Sequence, residues 1–391
     1  MREHQPAVVK NPFDDLTLER LRRRTSAKWQ DYPDDVLPLW VAEMDADVAR
    51  PIVAAVRGAL ANGDTGYPAG NAQAYAEAMA SFAADRWGWS FDPSTTAQVT
   101  DVMTGILELI RIVSPDGEAI VLTPPVYPPF FAVAQTLGRP VVGAPLTGGH
   151  RLDPAALEAA FMNATTGGRS AILLLSNPHN PTGTVHTRAE LDEVARLARQ
   201  YGIRVIADEI HAPLVMPTSN FTPYLTARGS AQDFSVSSAS KGWNLAGFKA
   251  AVIVPGADSA MDLHTLPHRV GSHPGHVGLI AHTAAYTYAR SWLDAVIAGI
   301  DANRLALNGL LHERLPDARY CPPESTYLAW IDCRGLGLGD DPARVFLERG
   351  RVALSSGMPF GGDGAGHVRL NLATSPAILA EAVARMASSQ R

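Results

Sequence analysis

Five consecutive residues, Ala171 to Leu175, carry no polar side chain, and the pattern then changes period. A short unbroken apolar run of this kind is what a strand buried on both faces shows. Further on, Leu191, Val194, Leu197, Ala198 and Tyr201 recur at the three-and-four spacing of one helix face. Thr187 can cap that helix, Glu190 three residues later completes a capping box, and Gly202 ends it. Ile203 to Ala207 reads as the next strand. The three segments predict a βαβ unit with a right-handed crossover.

Glu118 to Leu122, Phe234 to Val236 and Ala250 to Val254 are further short runs fit for a sheet interior. Asp153-Pro154, Asp341-Pro342 and Ser375-Pro376 each put a capping residue before a proline, so helices are expected to start there. Alternation of strand and helix signals predicts an α/β fold with a mainly parallel sheet between helices. After about Trp292 the pattern changes, with helical segments around the strand-like pieces Tyr327 to Ile331, Val352 to Leu354 and Val368 to Leu372. The expected division is a large domain over 49–292 and a smaller α+β domain over 293–391, joined by a long helix. The segment 1–48 is expected to pack with the smaller domain.

The chain has 391 residues, 46% of them hydrophobic, enough for two domains with a large core. It has no run of eighteen apolar residues, so no membrane span is expected, and its amino terminus lacks the apolar stretch of a secretory signal. The net charge of −6 offers no footprint for nucleic acid. The basic residues Arg20 to Arg24, beside Asp14 and Glu19, read as a solvated helix face. Cys321 and Cys333 fit neither a disulfide framework nor a zinc spacing, so no metal is expected. They read as packing residues in a reducing cytoplasm.

Ligands of open α/β sheets gather at the carboxyl ends of the strands, and several chemistry-bearing residues fall there. Lys241 lies in a small polar run just after a strand; a lysine held out of water loses its proton readily and becomes an amine nucleophile or base. Asp208 directly follows the strand Ile203 to Ala207, where a carboxylate needs a partner. Met103-Thr104-Gly105-Ile106 precedes the apolar-periodic stretch Leu107 to Val113 and can present N–H groups to a phosphate, with Ser238 and Ser240 adding hydroxyls and Lys249 a cation. Arg369, flanked by strand-like residues, matches a carboxylate with its planar fork, from a substrate or from a structural ion pair.

The stretch SVSSASKGWNLAGFK, Ser235 to Lys249, resembles the lysine motif of fold-type I pyridoxal-phosphate (PLP) enzymes, in which Ser-x-x-Lys is followed eight residues later by a basic residue. Its SKGWNLAG resembles the SKTFNLAG run of the cystathionine β-lyase (C-S lyase) branch. NPHNPTG at 177–183, DEIH at 208–211, PVYPPF at 125–130, WVAEMD at 40–45 and VRLNLAT at 368–374 are similar to further motifs of that family, so the resemblance extends through most of the chain. It implies the fold-type I architecture, with a seven-stranded sheet, and PLP carried on Lys241. Asp208 is then the partner of the pyridine nitrogen, Tyr127 stacks on the ring, and Asn180 and His211 meet its phenolic oxygen. Gly105, Ile106, Ser238, Ser240 and Lys249 hold the phosphate. Arg369, Asn180 and the backbone of Ala42 lie at the substrate carboxylate. Tyr67, in Gly66-Tyr67-Pro68, resembles the tyrosine that reaches the phosphate of a neighbouring subunit, which implies a homodimer with shared sites.

The resemblance implies α,β-elimination from cystathionine or another S-substituted cysteine to a thiol, pyruvate and ammonia. Transamination, decarboxylation coupled to deamination of an S-conjugated cysteine, and a PLP-binding sensor without turnover are the alternatives. Three departures stand out. Pro213 occupies the place of an aspartate, Gly242-Trp243 replaces Thr-Phe beside the lysine and is the expected origin of any change of reaction, and Lys249 stands where many relatives carry arginine.

Overall fold

The computed structural model describes residues 10–68, 73–114, 117–267, 270 and 274–390. The first nine residues of the amino-terminal segment therefore lie outside the described part. β1 (Leu37–Pro38) precedes the main sheet. That sheet contains β2 (Ala97–Val99), β3 (Ala119–Leu122), β4 (Val141–Gly143), β5 (Ala171–Ser176), β6 (Ile203–Asp208), β7 (Phe234–Ser237) and β8 (Ala251–Pro255). The order is β2-β8-β7-β6-β5-β3-β4, and β8 alone runs against the other six.

The unbroken run of β5 is explained by what covers it. Leu173 and Leu175 join Leu191, Val194, Val205 and Ala207 in the core on one face, while Ile172, Leu174 and Ile206 join Ile106, Leu109 and Phe130 on the other. Each such side chain contributes roughly 1.5–3 kcal/mol relative to leaving it exposed. Polar residues are thereby pushed to the strand ends, where Ser176 pairs with Asp208 and Asp208 with Val236. The helix Arg188–Tyr201 carries the expected capping box of Thr187 and Glu190 and ends on Gly202 at φ 67°.

The 25-residue helix Arg290–Arg314 leads to the carboxyl-terminal region. There β9 (Arg319–Tyr320), β10 (Leu328–Asp332), β11 (Val352–Ala353), β12 (Ser355–Ser356) and β13 (His367–Asn371) follow. Four of them form an antiparallel sheet, β12-β13-β10-β9, while β11 pairs in parallel with β1. The amino-terminal segment is thus tied to this region by the register Leu37 to Val352.

Two readings of single residues are corrected. Arg20 to Arg24 do not form one solvated helix face: the helix stops at Leu21, and Arg24 turns inward to donate to the carbonyls of Met44 at 3.3 Å and Asp45 at 2.8 Å. Cys333 is buried, but Cys321 is exposed, so only one of the two cysteines packs.

Candidate active site

The carboxyl ends of β5, β6 and β7 open into a cavity of about 300 Å³. Its lining includes Ala42, Tyr127, Asn180, Asp208, His211, Ser238, Ser240, Lys241 and Lys249. Residues distant in sequence meet here because parallel strands place their carboxyl ends on one edge, and the loops that follow converge.

Lys241 follows β7 and is half-buried at the cavity wall. Burial, helped by the positive charge of Arg369, lowers its pKa to about 8, against the pull of Glu43 and Asp208. Its Nζ donates to the Ala42 carbonyl at 2.9 Å. Asp208 is also buried and accepts from the Ile210 N–H at 3.1 Å. It has no ion-pair partner among the described residues, and desolvation raises its pKa to about 7. His211 Nδ1 is buried and without a hydrogen-bond partner, and burial holds the ring well below the usual histidine range. Tyr127 caps the helix Pro128–Thr136 and faces the same cavity, its pKa raised by burial and by Asp208.

Asn180 lies in the loop after β5. Its Oδ1 accepts from Arg369 Nη1 at 3.0 Å. Arg369 also donates through Nη2 to Ser355 Oγ at 3.2 Å and to the Trp40 carbonyl at 3.3 Å, and stands over the Phe360 ring. Its Nε is buried and unpaired, and no carboxylate pairs with the guanidinium among the described residues. A structural ion pair therefore does not account for this arginine. The Asn180 loop is fastened to the carboxyl-terminal region at Gly183, whose φ is +69°, and a Cβ there would lie 2.3 Å from Pro323 Cβ. No side chain fits.

The helix expected after Ile106 begins earlier, at Val102, because Asp101 caps it and accepts from the Thr104 N–H at 2.8 Å. This corrects the expectation for Gly105 and Ile106. The Gly105 N–H is taken by the Asp101 carbonyl, a Cβ on Gly105 would lie 3.1 Å from Val99 Cγ2, and Ile106 is core. Gly105 serves close packing of helix on sheet. Val102 and Met103 line the cavity in their place, bringing first-turn N–H groups that have no partner within the helix. Beside them Ser238 Oγ donates to the Ala250 carbonyl at 2.7 Å, and Lys249 Nζ pairs with Asp101 Oδ2 at 3.1 Å.

Trp243 does not face the cavity. It is fully buried, packs against Phe82 and Tyr286, and donates to the Ala289 carbonyl at 2.9 Å. Gly242 and Pro213 belong together: a Cβ on Gly242 would lie 3.1 Å from Pro213 Cβ. The two departures pack against each other and do not line the cavity. Tyr67 is 97% exposed and takes no part in the cavity of its own chain.

Sequence reading passed over Asp101, Asn244, Tyr327 and Asn371. Asp101 was detectable as a capping residue three positions before Thr104. Asn244 exchanges two hydrogen bonds with Met44, its Oδ1 accepting from the N–H and its Nδ2 donating to the carbonyl, both at 2.9 Å. It lies within the SKGWNLAG run, but nothing in that run shows that it binds the Met44 backbone.

The residues present suit PLP: a half-buried lysine, a carboxylate without a cation, an unpaired histidine nitrogen, an aromatic wall, and a helix start flanked by hydroxyls and a lysine. A mainly parallel seven-stranded sheet with this arrangement at its carboxyl edge defines a fold-type I PLP-dependent enzyme. The chain belongs to the family described as aminotransferase class I and II, which matches residues 32–386. It is 50% identical to the Mycobacterium leprae (strain TN) protein named "Putative cystathionine beta-lyase", over 97% of this chain and 98% of that one. It is 33% identical to the cystathionine beta-lyase of Corynebacterium glutamicum, over 95% and 98% of the two chains. Among solved structures, a "putative plp-dependent beta-cystathionase" from Corynebacterium diphtheriae matches with a TM-score of 0.90 and 34% identity, over 96% of this chain and 98% of that one.

Proposed function

We infer that the chain is a PLP-dependent carbon–sulfur lyase, which cleaves cystathionine or another S-substituted cysteine to a thiol, pyruvate and ammonia. The observation that carries this reading is Lys241 in one cavity with Asp208, which has no ion-pair partner among the described residues, in a chain with a relative at 33% identity named "Cystathionine beta-lyase" and one at 50% named "Putative cystathionine beta-lyase".

PLP bound in the cavity supplies an electron sink for the pair left on the substrate Cα. The remaining work falls to side chains. Arg369, with Asn180 holding one end of its fork, receives the substrate carboxylate. Lys241, neutral above about pH 8, takes the Cα proton through Nζ, and the thiolate then leaves Cβ. Asp208 keeps its charge once a cationic N–H lies against it. His211 and Asn180 would hold the cofactor's phenolic oxygen by hydrogen bonds, and Tyr127 would wall its ring. Val102, Met103, Ser238, Ser240 and Lys249 surround the phosphate position.

A homodimer with shared sites is part of the proposal. Its support is the wholly exposed Tyr67 beside a mostly apolar surface depression that includes Pro68, Leu279, Ile280 and Tyr288, an arrangement a second copy would cover. No helix among the described residues is long and apolar enough to cross a membrane, and the cytoplasm is the proposed location. Incubation with cystathionine and a set of S-substituted cysteines, with all products identified by mass, tests the reaction. Thiol, pyruvate and ammonia in equal amounts are expected. A keto acid that retains the sulfur substituent would make the chain an aminotransferase.

A further inference from the structure

One carbonyl in the site carries two donors. Lys241 Nζ and the Tyr327 hydroxyl each lie 2.9 Å from the Ala42 oxygen, which uses both of its acceptor positions. The neighbouring carbonyls are held as well, because Asn371 Nδ2 donates to Val41 O at 2.8 Å and to Glu43 O at 2.6 Å. Tyr327 directly precedes β10, Asn371 ends β13, and Leu328 pairs with Asn371. One end of the small sheet therefore sets the orientation of three successive peptides.

Tyr327 is itself immobilised. It is 1% exposed, its ring meets the His211 ring at a centroid distance of 6.2 Å and 74°, and its carbonyl accepts from the Leu372 N–H at 2.7 Å. Phenylalanine would fill the same volume, so the hydroxyl has a separate purpose. Its one hydrogen-bond partner among the described residues is the Ala42 oxygen.

We propose that the Ala42 carbonyl is where the Lys241 amine rests each time a substrate amine displaces it from the cofactor, and that Tyr327 is the positioning residue holding that carbonyl in place. The proposal rests on the reading that Lys241 carries PLP. In the exchange the substrate nitrogen forms the bond to the cofactor carbon that Nζ gives up. Two protons pass from the incoming to the departing nitrogen, and a neutral lysine amine remains in a partly buried pocket. Such a group needs an acceptor already aimed at it, because a buried N–H without one opposes the exchange. Ala42 O is that acceptor, and the freed amine lies on it while it waits to take the Cα proton.

The test uses holoenzyme and two ligands. 2-Aminoisobutyrate has an amine but no Cα proton, so reaction stops once Lys241 is displaced; isobutyrate has the same carbon skeleton and carboxylate without the amine. Tyr327→Phe should weaken 2-aminoisobutyrate binding, read from the cofactor absorbance, by about fivefold or more, while isobutyrate binding stays within about twofold. Borohydride reduction at equal 2-aminoisobutyrate concentration should leave more cofactor on Lys241 in the variant than in wild type. Tyr327→Met, which also lacks the hydroxyl, carries the same expectation and serves if the first variant does not take up cofactor. Equal weakening of both ligands, or of neither, overturns the proposal. Wild-type protein labelled on another lysine would instead overturn the reading on which it rests.

Discussion

Lys28 Nζ lies 2.9 Å from Asp45 Oδ1, with both side chains out of water. Trp29 Nε1 donates to the same oxygen at 3.0 Å, and Lys28 also donates to the Glu43 carbonyl at 3.2 Å. Burial holds the Lys28 pKa below its ordinary value even with Asp45 beside it. The pair ties the short helix Ala27–Gln30 to the turn that presents Ala42 to Lys241. An amino-terminal element thereby supports an active-site wall.

Removing one partner of such a pair strands the other. Lys28→Ala leaves the Asp45 carboxylate buried beside an indole N–H alone, and the expected loss is about 3–5 kcal/mol of unfolding free energy. Arg23→Ala breaks the exposed pair with Glu19 and should cost no more than about 1 kcal/mol. Urea unfolding of both variants decides. Similar losses would show that burial of the Lys28 pair confers nothing special.

Asp208→Asn should retain PLP and lose most turnover, since an amide cannot hold a cationic ring nitrogen by charge. Loss of an electrostatic partner of this kind costs about a hundredfold or more in rate. Cofactor content by mass and thiol release together separate a chemical defect from a binding one. Turnover close to wild type would remove Asp208 from its role.

Capture of the cofactor by cofactor-free protein should report the state of Lys241. Only the neutral amine attacks the aldehyde, and its fraction falls about tenfold for each pH unit below the pKa. With that pKa lowered from 10.5 to about 8, the capture rate should rise with pH and level off above about 8. Stopped-flow absorbance gives the profile. A rate still climbing tenfold per unit toward 10 would mean a lysine as basic as one in water.

If each Tyr67 serves the partner's site, mixed subunits should complement. Lys241→Ala chains mixed with Tyr67→Ala chains would yield hybrids with one native site and one doubly defective site. Activity above either parent is the expected result. Verified hybrids that regain nothing, alongside working controls with wild-type chains, would confine Tyr67 to its own chain or to packing.

The buried strands were legible because their signal is local. β5 and β6 emerge one residue longer than the strands expected from the sequence, each extended by the polar residue at its carboxyl end, Ser176 and Asp208. The edge strands β2 and β4 were not legible: they are three residues long, β4 is mostly exposed and β2 only partly covered, so no long apolar run marks them. Gly105 was misread for a related reason. A glycine before an apolar stretch looks like a helix start, and only the packing of that helix on Val99 and Val236 shows it to be a contact point inside one.

What the amino-acid order settled by itself was the kind of chemistry: a lysine after a buried strand, a carboxylate ending another, and motifs long enough to point to one family. Periodicity and capping are set by neighbours a few residues apart, so they can be read along the chain. The tertiary structure alone decided which groups share an atom or stand without a partner. Tyr327 and Ala42 are 285 residues apart, and their hydrogen bond exists because β10 and β13 bring one sheet end against the 41–43 turn. Arg369 pairs with no carboxylate among the described residues for the same reason, since what faces it is fixed by the meeting of two separately built sheets. Burial and pairing depend on that meeting, and no local pattern encodes it.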